Sequence, residues 1–159
     1  MKHSTPIEIL ENLADIGVSK TNCTLRKLIL MGIMAGAYIA FAGVASTMGA
    51  FNLLAEADTY GLGRILCGAI FTGGLVIVTL AGAELFTGNT LITISVLEKK
   101  TTVAKMLKNW IIVYISNFAG SVLIAWLVYN SGVLSSGDGL LGAMTVKIAS
   151  GKVNLNFAQ

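Results

Sequence analysis

The chain is short of charge, of cysteine, of histidine and of proline, and each shortage closes off a class of protein. Only 12% of its 159 residues are charged, while 55% are hydrophobic. That balance excludes a disordered segment, and with a mean hydropathy of +0.78 it argues against an ordinary soluble domain. No basic stripe is interleaved with aromatic residues, so nucleic acid is not an expected partner. The two cysteines, Cys23 and Cys67, lack any partner spacing, which leaves no disulfide framework, metal site or other cofactor to expect. The one histidine, His3, lies in a short N-terminal tail and is given no role. With no nucleophile, metal cluster or acid–base constellation in sight, the chain does not read as an enzyme. Met1 is not followed by a basic stretch, a short apolar core and a small-residue cleavage site, so the first membrane helix is expected to do the targeting.

The one proline, Pro6, is placed where a helix can use it. Thr5 is a good N-cap, Pro6 suits the first helical position, and Glu8 completes a capping box. Ile9, Leu10, Leu13 and Ile16 then share a face at helical spacing, with Glu8, Glu11 and Asp15 opposite. Gly17 is expected to end this amphipathic helix, which should lie on the inner surface of a membrane bundle. Residues 1–27 are accordingly expected to form a cytoplasmic helix and linker.

What the chain has in abundance is uncharged apolar sequence. Leu28 to Ala55 carries no charge and reads as a first membrane helix. Gly32, Gly36 and Ala40 recur at four-residue spacing within it, a pattern that permits close helix approach. From Ile65 to Leu97 the only charged residue is Glu84. As one straight helix that stretch would reach about 50 Å at about 1.5 Å per residue, whereas a bilayer's hydrocarbon core is about 30 Å thick. Two pieces meeting inside the membrane are therefore expected, with Glu84 to Asn89 as the break. Irregular backbone at that depth survives only where protein buries it or a wet cavity faces it, and broken helices mark substrate sites in transport proteins. Asn109 to about Asn130 is the next span. A loop from Ser131 to Gly139 follows, then a mixed segment with Lys147 and Lys152.

Lys20, Arg26 and Lys27 before the first span place the N-terminus in the cytoplasm, and Lys99, Lys100, Lys105 and Lys108 place the loop after the broken element there too. Lys147 and Lys152 then fall on the outer side. Asn109 and Asn117 are expected to bond neighbouring helices, Trp110 to mark the inner interface, and Trp126 and Tyr129 the outer one. Glu84 is expected to hold the break through backbone N–H groups or to sit near the inner surface, because a carboxylate facing the pathway would repel anions. An odd number of spans around a broken one is also what half of an inverted repeat looks like; a three-span protein that closes its core by oligomerising is the alternative.

Three stretches resemble the formate/nitrite transporter family. Gly36-Ala37-Tyr38-Ile39-Ala40-Phe41-Ala42-Gly43 resembles its first helix. Ala83-Glu84-Leu85-Phe86-Thr87-Gly88-Asn89 resembles the signature of its broken second helix. Asn109-Trp110, Val113-Tyr114, Asn117 and Gly120-Ser121 resemble its third. The resemblance implies an all-α membrane protein: three passes with the second helix broken, the first half of a six-span, aquaporin-like channel. Residues 28–159 would be that first repeat. It also implies a homopentamer in the plasma (inner) membrane with one pore per protomer. The other half, with a central histidine, is expected from a cleaved or separate segment.

By the same resemblance Phe71 and Phe86 form an outer hydrophobic constriction and Leu75 and Leu85 an inner one. Thr87 faces the central chamber and bonds the histidine, and Lys152 attracts anions near the outer mouth. By themselves Phe71, Leu75 and Leu85 are apolar residues of the kind that simply pack membrane helices, Thr87 suits a helix cap, and Lys152 suits surface charge. The implied function is a channel for small monovalent weak-acid anions, hydrosulfide, formate or nitrite, passive or proton-linked, with a lean to hydrosulfide. An obligate proton symporter and a non-transporting membrane anchor subunit are the alternatives.

Overall fold

The computed structural model describes residues 5–156 and Ala158, so His3 lies outside the described residues. Helices account for most of them, and none of the described residues is in a strand. In chain order these are α1 (Pro6–Thr21), α2 (Leu25–Ala55), α3 (Tyr60–Leu80), α4 (Phe86–Asn89), α5 (Ile92–Leu97), α6 (Val103–Asn130), a single 3-10 turn (Val133–Ser135) and α7 (Leu140–Val153). Three of them, α2, α3 and α6, are long and apolar enough to cross a membrane. The chain is thus an all-α membrane protein.

The capping signals at the start of α1 operate as expected. Thr5 Oγ1 accepts from the Glu8 N–H at 3.3 Å, and Glu8 Oε2 accepts from the Thr5 N–H at 2.7 Å. Gly17 does not end the helix, however. It is buried in the middle of α1, where an added Cβ would stand 2.0 Å from Ser95 Oγ, and the helix continues to Thr21. Small residues, not the apolar stripe, dock α1. Ala14 is fully buried and its carbonyl accepts from Ser95 Oγ at 2.7 Å, whereas Ile9, Leu10 and Ile16 are exposed. A helix backbone approaches α5 closely only through a side with almost no side chain, and periodicity of large apolar residues cannot reveal that side.

Two compact units divide the chain: residues 1–37 with 78–121, and residues 38–77 with 122–159. In the first, α2 and α6 pack backbone to backbone. An added Cβ at Gly36 would stand 2.0 Å from the Asn117 carbonyl oxygen, and one at Gly120 would stand 2.0 Å from that of Ile33. Ser121 Oγ donates across the seam to the Gly36 carbonyl at 3.1 Å. The expected small-residue face of α2 is therefore a packing face. In the second unit Ala50, Leu54 and Met144 form a buried cluster, with Phe51, Leu66, Cys67 and Ile148 packed around it. Gly74 of α3 lies where a Cβ would meet that of Ala42 at 2.3 Å, while its neighbour Gly73 faces open space.

Candidate functional site: the helix break

The break lies a few residues earlier than the sequence suggests. Helix α3 stops at Leu80, Gly82 turns the chain with a φ of +62°, Ala83 to Leu85 run without regular structure, and α4 has begun by Phe86. Phe86 to Asn89, expected inside the break, already form a helical turn. Gly82 is needed because a left-handed φ is strained for any residue carrying a Cβ. The turn returns two donors to α3: the Gly82 N–H to the Thr79 carbonyl at 3.2 Å and the Ala83 N–H to the Val78 carbonyl at 3.0 Å.

The backbone groups beyond that turn are satisfied from other helices. The Glu84 N–H donates to the Met31 carbonyl of α2 at 3.2 Å. Asn117 of α6 does most of the rest. Its Nδ2 donates to the Glu84 carbonyl at 2.9 Å and to the Gly32 carbonyl at 2.8 Å, and its Oδ1 accepts from the Phe86 N–H at 2.9 Å. One amide thus closes an otherwise open carbonyl and supplies the side-chain acceptor that Leu85, as N-cap, lacks. The glycines at 32 and 36 let α6 come near enough for Asn117 to reach both α2 and the break.

Glu84 does not hold the break through backbone N–H groups as expected. Its Oε2 accepts from Lys20 Nζ at 2.7 Å and from Asn89 Nδ2 at 2.8 Å. Lys20 Nζ also donates to Asn89 Oδ1 at 3.0 Å. Asn89 is fully buried. Its Nδ2 reaches Asn109 Oδ1 at 2.9 Å, and its carbonyl accepts from the Trp110 indole at 2.8 Å. Asn109 Nδ2 closes the ring of bonds on the Lys20 carbonyl at 3.1 Å. The chemical result is a neutral, filled network: the one carboxylate in the long apolar stretch has a cation beside it and every buried polar side-chain atom among the described residues has a partner. A part-buried carboxylate in so apolar a setting is best tolerated on those terms.

Of the residues singled out from the sequence, the first unit holds Leu85, Phe86 and Thr87 and the second holds Phe71, Leu75 and Lys152. Leu85 and Phe86 are half-buried. The Phe86 ring makes edge contacts with Trp110 and Tyr114, at centroid separations of 6.0 and 5.5 Å. Thr87 is exposed in the first turn of α4 and is not its cap, a position taken by Leu85. In the second unit Phe71 is half-buried, and Leu75, one turn further along α3, is 44% exposed. Lys152 is exposed in the last turn of α7, at the rim of an apolar cavity of about 330 Å³ lined by Val44, Leu134, Leu141 and Ile148 among others.

Asn109 and Asn117 bond neighbouring segments, as expected. Trp110 does more than mark an interface, since its N–H holds the break. Lys20, read from the sequence only as a topology signal, is the cation of the site. No local motif joins it to Glu84, because the two are 64 residues apart.

The sequence is similar to known proteins along nearly its whole length. The family described as formate/nitrite transporter matches residues 7–159. A formate channel of Bacillus thuringiensis is 34% identical over 100% of the chain and 60% of its own length. A probable formate transporter of Methanothermobacter thermautotrophicus is 31% identical over 98% of the chain and 62% of its own length. A formate channel of Haemophilus influenzae is 31% identical over 94% of the chain and 52% of its own length. The chain thus spans between 52% and 62% of the length of these relatives.

Proposed function

The chain belongs to the formate/nitrite transporter family, and on that premise we propose that it contributes the first repeat of a membrane channel for small monovalent weak-acid anions. The observation that carries this reading is the break: a stretch of irregular backbone, in a chain of membrane-length helices, held in place by side chains from α1 and α6 and by a backbone carbonyl of α2. A protein that needed only to span the bilayer has no use for it, because every freed backbone group costs several kcal/mol in hydrocarbon, of the order of 2–7.

In this reading Phe71 and Phe86 narrow the pathway on the outer side, and Leu75 and Leu85 on the inner side. Apolar constrictions dewet and oppose a bare ion. A weak acid crosses them once it has picked up a proton. The donor would be a central histidine in a second repeat, oriented by Thr87, whose exposed position in the first turn of α4 leaves it open to such a partner. Lys152 would concentrate anions at the outer mouth. Residues 1–27 would be a cytoplasmic helix and linker, with the basic residues before α2 and around the start of α6 setting that orientation in a plasma (inner) membrane. Residues 28–159 would be the first repeat of a pentameric assembly. The relatives' names make formate the first substrate to test, with nitrite and hydrosulfide beside it.

The experiment is anion uptake into liposomes carrying the assembled protein, with formate, nitrite and hydrosulfide compared with chloride. Selective uptake that Thr87→Val reduces at least tenfold is the expected result. Uptake that vanishes without a pH gradient would replace the channel by a proton symporter. No uptake, together with a stable bound partner protein, would favour the anchor subunit.

A further inference from the structure

A small cavity in the first unit sets basic side chains beside apolar ones. It occupies about 140 Å³ between the α1–α2 connection and the first three turns of α6. Its polar wall carries Lys105 and Lys108, one turn apart on α6, with Asn109 below them; its apolar wall is Leu25, Leu28 and Ile112. No carboxylate lines it. Lys105 Nζ is steadied by donating to Asn22 Oδ1 at 2.9 Å, which leaves further N–H groups to give, and Lys108 is in none of the ion pairs among the described residues. The next residues along the start of α2, Arg26 and Lys27, are exposed and also basic.

The level of the cavity decides the occupant. Leu25 opens α2 and Val103 opens α6, and both helices are of membrane-spanning length and composition. A cavity walled by their first turns lies where a bilayer's hydrocarbon gives way to headgroups. There a solute with an anionic head and an apolar body meets lysine ammonium groups above and leucine and isoleucine below. Basic residues next to a membrane helix attract anionic lipid, and the apolar wall gives the first methylene groups a dry surface that a free inorganic anion does not need. We propose that this cavity binds one anionic phospholipid, its phosphate held by Lys105 and Lys108 and its glycerol backbone resting on Leu25, Leu28 and Ile112. The proposal rests on the membrane character of the chain and not on which anion it conducts.

Cys23 lines the same cavity and is a free thiol, so it reports occupancy without any added label. The full protein carrying Cys67→Ser is reconstituted into nanodiscs of phosphatidylcholine alone or with one-third phosphatidylglycerol, and the alkylation rate of Cys23 by neutral N-ethylmaleimide is measured. Phosphatidylglycerol should slow alkylation at least fivefold. Adding K105Q and K108Q together should remove that protection. The anionic surface also lowers the local pH, so a variant with the same loss of charge outside the cavity, K27Q with K99Q, serves as the control and should keep the protection. In native mass spectrometry the K105Q/K108Q protein should retain one fewer phosphatidylglycerol per chain, with affinity reduced by about fivefold per lysine, the size expected for one basic residue at an anionic surface. Equal protection in both double variants would overturn the site. Protection in pure phosphatidylcholine by inorganic phosphate or formate, at the level phosphatidylglycerol gives, would overturn the lipid and leave a free-anion site instead.

Discussion

Each of the two units of this chain has an interior of its own chemistry. The first is organised around Asn89, Asn109 and Asn117, whose amides join α1, α2, α4 and α6 through bonds of 2.8–3.1 Å. The second is organised around Ala50, Leu54 and Met144. Many of its hydroxyls do no more than bond their own helix, as Thr47 does to the Gly43 carbonyl and Thr145 to that of Leu141. The reason lies in the backbone. Where α3 stops at Leu80, peptide groups are released from helical pairing and are met by the Asn117 amide and the Met31 carbonyl. Where a helix runs on, its own bonds suffice, and apolar contact completes the packing. Among the described residues the buried asparagines, Asn89 and Asn109, gather beside the interruption, while the buried serines are spread more widely, with Ser46 in the middle of α2 and Ser95 against α1.

Substitutions can break or sharpen that contrast. The largest effect is expected from Asn89→Leu. It removes the side-chain amide's bonds to Lys20, Glu84 and Asn109 and leaves the buried Asn109 Oδ1 without its donor, a loss of about 4 kcal/mol for bonds to two charged groups and one stranded acceptor, visible as a lower melting temperature in detergent. Gly36→Val comes next. Its first carbon would collide with the Asn117 carbonyl, and because that atom is backbone the helices must part, at about 3 kcal/mol. The same variant should loosen Asn117 from the break, so hydrogen exchange at the Glu84 and Phe86 amides should rise together. In the second unit Met144→Ala should cost about 2 kcal/mol, the lower end for such a truncation, while leaving exchange at those two amides unchanged. A Met144→Ala variant that opened the break would contradict the contrast.

The smallest effect concerns the docking of α1. Lys100 donates to Asp15 Oδ1 at 2.6 Å, and that hydrogen bond raises the lysine's pKa above its ordinary value of 10.5 although the side chain is exposed. A raised folded-state pKa means that the tie is fully present below the ordinary lysine value and is lost as pH climbs through the folded one. Measured relative to its intrinsic, base-catalysed rate, exchange of the α1 amides near Asp15 should therefore stay constant from neutral to mildly alkaline pH and rise only beyond the ordinary lysine range. Lys100→Gln should show the raised exchange at every pH.

Much of this architecture was legible in the residues. A run of uncharged sequence longer than a bilayer is thick, with one carboxylate in it, requires an interruption, and Thr5, Pro6 and Glu8 spell a helix start wherever they fall. Asparagines at 109 and 117 in an apolar span must find partners, and they do. Other features were hidden for physical reasons. The break begins at Ala81 and not at Glu84 because a glycine turn, not the polar residues, ends α3. The docking face of α1 is Ala14 and Gly17, which leave no hydrophobic signal. The partnership of Lys20 with Glu84 spans 64 residues, beyond the reach of any local pattern.

The bond from the Phe86 N–H to Asn117 also has a consequence in time. A chain threaded into a membrane as it is synthesised offers its segments in order, and the acceptor for Phe86 is made 31 residues later. Until α6 arrives, the interruption has neither its cap nor the donor for the Glu84 carbonyl. The broken segment must therefore wait, sheltered by the insertion machinery or by water, and lock only when the third long helix slides against the glycines of the first.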